Sequence, residues 1–303
     1  MALPKRNLGK NGPLINAIGF GTMSIGGAYS DPNGREANLA LLDEAYRVGQ
    51  WFWDTADIYR DSEETIGEWF ARNPEKRKDI FLATKFALSY DMTTWQQFVS
   101  NDPEYIRKAC ASSLKKLQVD SIDLYYVHRI DPKVPIETTM KTLVELKNEG
   151  KIKHIGLSEA SAATLRRAVA VHPVAAHQIE YSAFTLNPAE ELLSVHRELG
   201  ITTVAYSPIG RGFLTGQVKS MDDLQGFNKM VSRNNEENFK KILELVHKFE
   251  EVAKSHGAKP SQVAIAWLLA QGEDIIPIPG TKSANLCEQQ LKQRYWKAAG
   301  ILT

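Results

Sequence analysis

Four side chains of this sequence could do chemistry together: Asp54, Tyr59, Lys85 and His128. Asp54 closes the aromatic run Trp51-Phe52-Trp53, and Tyr59 follows it in Asp54-Thr55-Ala56-Asp57-Ile58-Tyr59. Lys85 and His128 stand at the ends of two further apolar runs, Ile80–Phe86 and Ile122–His128. A lysine ammonium buried in an apolar core needs a counter-ion, because an unpaired charge there is strongly destabilising, and Asp54 can supply it. A cation beside a phenol stabilises the phenolate and draws the tyrosine down from its ordinary pKa of about 10, which makes a usable proton donor. Tyr59 is therefore the candidate general acid, and His128 can hydrogen-bond the same substrate oxygen or share in the proton transfer. Protonating a carbonyl oxygen while its carbon is attacked is the chemistry that suits the set.

Such residues must be brought together by the fold, since dozens of positions separate them. Strand-like runs at Ala17–Thr22, Phe52–Ala56, Ile80–Phe86, Ile122–His128, His154–Ser158, Ala176–Tyr181, Thr203–Ser207 and Ile275–Pro279 alternate with helical periodicity. The helical stretches include Glu36–Val48, Glu64–Arg72, Pro103–Leu117, Ile136–Glu149, Ala163–Val171, Ala189–Leu199 and Phe239–Ser255. This pattern is either an α/β (β/α)₈ TIM barrel or a long doubly wound sheet. A dinucleotide-binding sheet calls for G-x-G-x-x-G after its first strand, and Gly19-Phe20-Gly21-Thr22-Met23-Ser24 lacks the third glycine, which favours the barrel. Turn residues at Lys10-Asn11-Gly12 predict an N-terminal β-hairpin. No linker divides residues 1–303, so one barrel domain is expected. In a barrel the C-terminal strand ends share one mouth, where the four residues would converge.

Composition narrows the partners. Lys and Arg total 37 against 36 Asp and Glu, so no charge field favours nucleic acid or an anionic membrane. With no apolar run long enough to span a bilayer and no signal-peptide core in MALPKRNLGK, a cytoplasmic protein is expected. Cys110 and Cys287 have neither disulfide nor metal-ligand spacing, and no metal is expected. His154, His172, His177, His196, His247 and His256 read as surface or packing residues, and Asp57 as a possible cap of the loop that carries Tyr59.

The motifs Asp54-Thr55-Ala56-Asp57-Ile58-Tyr59, Thr84-Lys85, Asp123-Leu124-Tyr125-Tyr126-Val127-His128, Gly156-Leu157-Ser158, Gln178-Ile179-Glu180-Tyr181-Ser182, Tyr206-Ser207-Pro208-Ile209-Gly210-Arg211-Gly212 and Pro277-Ile278-Pro279-Gly280-Thr281-Lys282 occur in that order. Together they resemble the aldo-keto reductase superfamily, nearest to fungal, plant and bacterial members close to the pyridoxal reductases. The resemblance implies a (β/α)₈ barrel holding an extended nicotinamide cofactor, with Asp54, Tyr59, Lys85 and His128 as catalytic tetrad. It implies that Tyr206 stacks on the nicotinamide, that Ser158 and Gln178 bind its carboxamide, and that Gly21, Thr22 and Met23 lie along the cofactor. Ser207, Pro208, Ile209, Gly210, Arg211 and Gly212 would wrap the pyrophosphate. Gly280, Thr281 and Lys282, opening a helix, would take the adenosine 2′-phosphate, and Glu288 with Gln289 the adenine, which makes NADPH the expected cofactor.

The sequence also departs from that pattern. Gln289 stands in place of an asparagine, Arg60 in place of the glycine after the tyrosine, the connection Thr215–Asn238 is shorter, and the C-terminal tail is shortened. The expected activity is NADPH-dependent reduction of an aldehyde or ketone to the alcohol by a monomer or weak homo-oligomer. One alternative is a cofactor-binding regulatory or sensor subunit with negligible turnover. Another is an aldolase-type barrel using Lys85 as a Schiff-base nucleophile, disfavoured by Asp54 beside the amine.

Overall fold

The computed structural model describes residues 3–26, 34–90, 96–216, 218–224 and 235–283. A short antiparallel hairpin, β1 (Lys5–Asn7) and β2 (Leu14–Asn16), comes first. Eight parallel strands follow: β3 (Phe20–Gly21), β4 (Phe52–Asp54), β5 (Phe81–Phe86), β8 (Ile122–Val127), β9 (Ile152–Ser158), β10 (Ala176–Glu180), β11 (Thr202–Tyr206) and β12 (Ile275–Pro277). They pair in sequence order, as the alternating pattern predicts for a barrel. Between β5 and the third helix lies a second hairpin, β6 (Leu88–Tyr90) and β7 (Gln97–Val99).

Ring closure is made by β3 against β12. Gly19 N donates to Pro277 O at 3.0 Å and Gly21 N to Pro279 O at 3.1 Å, and Gly21 bridges Gly280. A strand residue turns its N–H and its C=O toward the same neighbour, so Pro277 and Pro279 face this seam with carbonyls and no donors. Half of the ladder is therefore missing, which accounts for the two-residue β3 where the sequence predicts Ala17–Thr22. Beneath the seam, buried Arg6 of the hairpin donates to Ile275 O at 2.5 Å and Leu269 O at 2.8 Å.

Helices α1 (Arg35–Arg47), α2 (Ser62–Arg72), α3 (Pro103–Leu117), α4 (Ile136–Asn148), α5 (Ala162–Val171) and α6 (Asn187–Leu199) each follow one barrel strand from β3 to β10, and α7 (Glu236–Ser255) and α8 (Pro260–Ala270) both lie between β11 and β12. Local chemistry sets their ends. Asp102 caps α3 by accepting from Glu104 N and Tyr105 N, with Pro103 in the first turn, and Ser161 caps α5. Asn235 caps α7, so this helix starts before the predicted Phe239. Helix α8 is absent from the sequence-based list because its residues are apolar on nearly every side and carry no 3.6-residue stripe; its buried positions run Gln262–Ala266 and Leu268–Leu269.

Alternation along the strands places the site. Phe52, Ala83, Leu124, Tyr126, Ala176, Val204, Ile276 and Ile278 fill the barrel interior. Two residues further along the same strands stand Asp54, Lys85, His128, Gln178 and Tyr206, so period-2 alternation turns them to the same side at the mouth. Gly156 belongs to this arrangement, because a Cβ there would lie 2.4 Å from the ring of Tyr126 on the paired strand.

Candidate active site

At the bottom of the mouth, Lys85 Nζ donates to Asp54 Oδ1 at 2.5 Å and to the Thr55 carbonyl at 2.7 Å. Both Lys85 and Asp54 are buried. Burial pushes the lysine pKa down and the carboxyl pKa up, and each charge is kept by the other. Lys85 Nζ also sits 5.0 Å from the centroid of the Tyr59 ring, and that ring meets His128 edge-on at 5.9 Å. The four residues predicted to converge are thus in one cluster.

His128 is held as the neutral imidazole. Burial, then the charges of Lys85 and Arg129, drive its pKa well below the ordinary histidine range, and its Nδ1 is buried without a hydrogen-bond partner. A neutral imidazole can orient a substrate oxygen through a hydrogen bond but is a poor proton donor near neutral pH.

The loop bearing Tyr59 is tied down by a chain of buried hydroxyls. Thr55 Oγ1 donates to Ser62 Oγ at 2.9 Å, Ser62 Oγ to Thr22 Oγ1 at 2.9 Å, and Thr22 Oγ1 to the Asp54 carbonyl at 3.0 Å. Thr22, read as a cofactor residue, therefore spends its side chain on the strand end. Asp57 lies under the same loop with its N–H on the Lys85 carbonyl. Burial, with nearby Glu63 adding to it, raises the Asp57 carboxyl to about 8. Glu63 is itself buried, raised by burial, and accepts from Thr84 Oγ1 at 2.7 Å.

Backbone strain concentrates at this end. Arg60, Ala87, Glu159, Ser207 and Arg211 all have left-handed φ, between 48° and 100°, and all follow C-terminal strand ends. Arg60 occupies the position after Tyr59 where the resemblance to the superfamily implies glycine, and φ of 48° shows why glycine suits it.

Around the rim stand the expected cofactor residues. Ser158 on β9 and Gln178 on β10 are buried neighbours in register. Gln178 Nε2 donates to Asp54 Oδ2 at 2.8 Å, a link that the sequence did not show. Tyr206 ends β11, its hydroxyl pushed up by burial and by Glu159 and Glu180. Residues Ser207–Gly212 form a tight loop with four left-handed residues, Ser207, Gly210, Arg211 and Gly212, leading into a short 3-10 helix. Arg211 pairs with Glu180 at 3.1 Å. A cavity of about 320 Å³ opens between this loop and α7, lined by Phe184, Arg211, Phe213, Lys241 and Ile242 among others. Gly21 and Gly280 meet across the seam, Met23 follows two residues after Gly21, and Ser24 Oγ donates to the Thr281 carbonyl. Lys282 follows; the helix expected to open there, Glu288, Gln289 and Cys287 lie outside the described residues.

The model of the Aldo/keto reductase family matches residues 17–294. The chain is similar to the aldo-keto reductase str7 of Strobilurus tenacellus, 48% identical over 301 residues, covering 96% of this chain and 87% of that protein. It is similar to the aldo-keto reductase yakc [NADP(+)] of Schizosaccharomyces pombe, 47% identical, covering 95% and 86%. Among solved structures it resembles the glycerol dehydrogenase AKR11B4 from Gluconobacter oxydans, with a TM-score of 0.83, 26% identity, and coverage of 100% and 95%.

Proposed function

The chain belongs to the aldo/keto reductase family, and from that premise we propose that it reduces an aldehyde or ketone to the alcohol with NADPH, Tyr59 acting as the general acid. The observation that carries this reading is the buried Lys85–Asp54 pair beneath Tyr59, beside a neutral His128. NADP(H) use is supported by the relative named for NADP(+) and by the rim of donors. The strained loop Ser207–Gly212 has backbone conformations that suit a pyrophosphate, and Ser158 with Gln178 suits a carboxamide. Gly280–Ser283, with Lys282, would take the 2′-phosphate.

NADPH, when bound, supplies the hydride. The protein's part is the proton. The Tyr59 hydroxyl gives its proton to the carbonyl oxygen, and the Lys85 ammonium offsets the phenolate that develops. Asp54 keeps Lys85 charged and fixed; His128 orients the oxygen. Two acceptor oxygens on Lys85 Nζ favour the ammonium, which argues against Schiff-base chemistry.

The test is NADPH oxidation over a panel of aromatic and aliphatic aldehydes, comparing the wild type with Tyr59→Phe. Turnover should fall by about 10²–10⁴-fold, the usual cost of losing a general acid, with NADPH affinity nearly unchanged. If both proteins bind NADPH tightly and are equally slow, the sensor reading replaces this one.

A further inference from the structure

Among the described residues, the cation next to His128 has no counter-ion. Arg129 follows His128 at the end of β8, where its Nη1 donates to the His128 carbonyl at 2.7 Å and to Ser158 Oγ at 3.4 Å. It is half-buried, and its charge is felt by Lys85, His128 and Tyr206, so it belongs to the innermost ring of the mouth. The other cations near it are paired, Lys85 with Asp54 and Arg211 with Glu180. Among the described residues no carboxylate reaches ion-pairing distance of Arg129. The neighbouring acids are committed elsewhere: Asp54 to Lys85 and Gln178, Glu180 to Arg211, and Glu159 to the Glu180 N–H and the Tyr206 hydroxyl.

Its Nε and Nη2 find no acceptor among the described residues, and a sheltered guanidinium so placed is matched in shape and charge to a carboxylate, which it can bind through two parallel hydrogen bonds. We propose that Arg129 recognises a carboxylate on the substrate itself, so that the carbonyl compounds this protein reduces are aldehyde or keto acids. One unpaired cation balances one negative charge, which favours a carboxylate over a phosphate dianion. Arg129 is bonded to the carbonyl of His128, so the substrate's carboxylate must stand close to its reacting carbonyl. This inference rests on the reductase reading and narrows it to a substrate class.

Benzaldehyde and its 2-, 3- and 4-carboxy derivatives share a ring and a reacting group and differ by the charge. The best carboxybenzaldehyde should exceed benzaldehyde in kcat/KM by about tenfold or more, mainly through KM, and the advantage should shrink with added salt. In Arg129→Met that ratio should fall to about one, while Arg129→Lys retains part of it. A wild-type ratio at or below one overturns the proposal. So does an Arg129→Met protein that loses both aldehydes equally, or that loses NADPH affinity in proportion, since Arg129 would then serve the fold or the cofactor. Binding separates this idea from the reading beneath it. Benzoate should perturb the fluorescence of the NADPH complex at lower concentration than benzamide, and Arg129→Met should erase the difference. If no aldehyde turns over but that binding difference holds, the reductase reading fails and the anion site stands. If aldehydes turn over without preference, the reverse follows.

Discussion

Gln178 and Asp54 are joined by a hydrogen bond of 2.8 Å from the amide Nε2 to the carboxylate Oδ2. Lys85 holds the other carboxylate oxygen, so one buried group connects a residue proposed to bind cofactor with the lysine beneath the proposed proton donor. Gln178→Leu removes the donor and leaves Asp54 under-bonded in the interior, which should cost about 1–3 kcal/mol of stability in urea unfolding. It should also lower turnover and NADPH affinity together. Combined with Asp54→Asn, the effects should be non-additive by about 0.5–3 kcal/mol; simple addition would show that the two act independently.

Lys282 carries the expected preference for the phosphorylated cofactor. Lys282→Ala should weaken NADPH binding by about 1.5–3 kcal/mol, the range of a hydrogen bond to a charged group, and leave NADH nearly unaffected. Equal losses for both cofactors in a fluorescence titration would remove the assignment.

Asp57 gives the fold a stability that declines from about pH 4 to about pH 8. Its carboxyl titrates at about 8 when folded, against 3.8 for the free group, so from about pH 4 upward the unfolded chain ionises and the folded chain does not. Stability therefore falls as pH rises to about 8, by at most about 6 kcal/mol for this group. Asp57→Asn should be more stable than the wild type at pH 8, with an advantage that shrinks toward pH 4. Parallel denaturation curves at both pH values would show that Asp57 is not held neutral.

His177 and His196 act in the opposite direction. Ala160 N–H can only donate, so it fixes His177 Nε2 as an acceptor; His177 Nδ1 then donates to His196 Nε2, and His196 Nδ1 to Thr203 Oγ1. Both rings are neutral in this chain, burial lowering His177 well below the ordinary value and His196 to about 4. The unfolded chain takes up protons below about pH 6.5 and the folded chain does not, so this stability is complete above that pH and is lost on descent toward 4, by about 3 kcal/mol for His196. His196→Gln should flatten the acid limb of a stability–pH curve. An unaltered limb would assign the acid sensitivity to other groups.

Strand ends were legible in the sequence because period-2 alternation and parallel topology together direct Asp54, Lys85, His128, Gln178 and Tyr206 to one mouth. Helix α8 was not legible, since a helix buried on nearly all sides has no amphipathic stripe. The β6–β7 hairpin is not legible because its strands are as short as β1 and β2 but the sequence between them lacks a turn signal such as Asn11-Gly12. Side-chain partnerships were also out of reach. That Gln178 bonds Asp54, that Thr22 serves Ser62, and that Arg129 lacks an acid depend on where residues far apart in sequence meet, and no local spacing encodes this.

The proline-faced seam has a consequence for how the chain is made. Ser24 and Thr281, which bond across it, are 257 positions apart, and where the prolines line the seam its N–H donors come from the β3 side only. During synthesis the first strand emerges long before its partner, so the nascent sheet grows with the β3 edge open while the later strands are still being translated. The ring can shut only when Ile275–Pro279 leaves the ribosome. Until then Gly19 and Gly21 present unpaired N–H groups, and a chaperone that shields this edge would act on the slowest-closing part of the molecule.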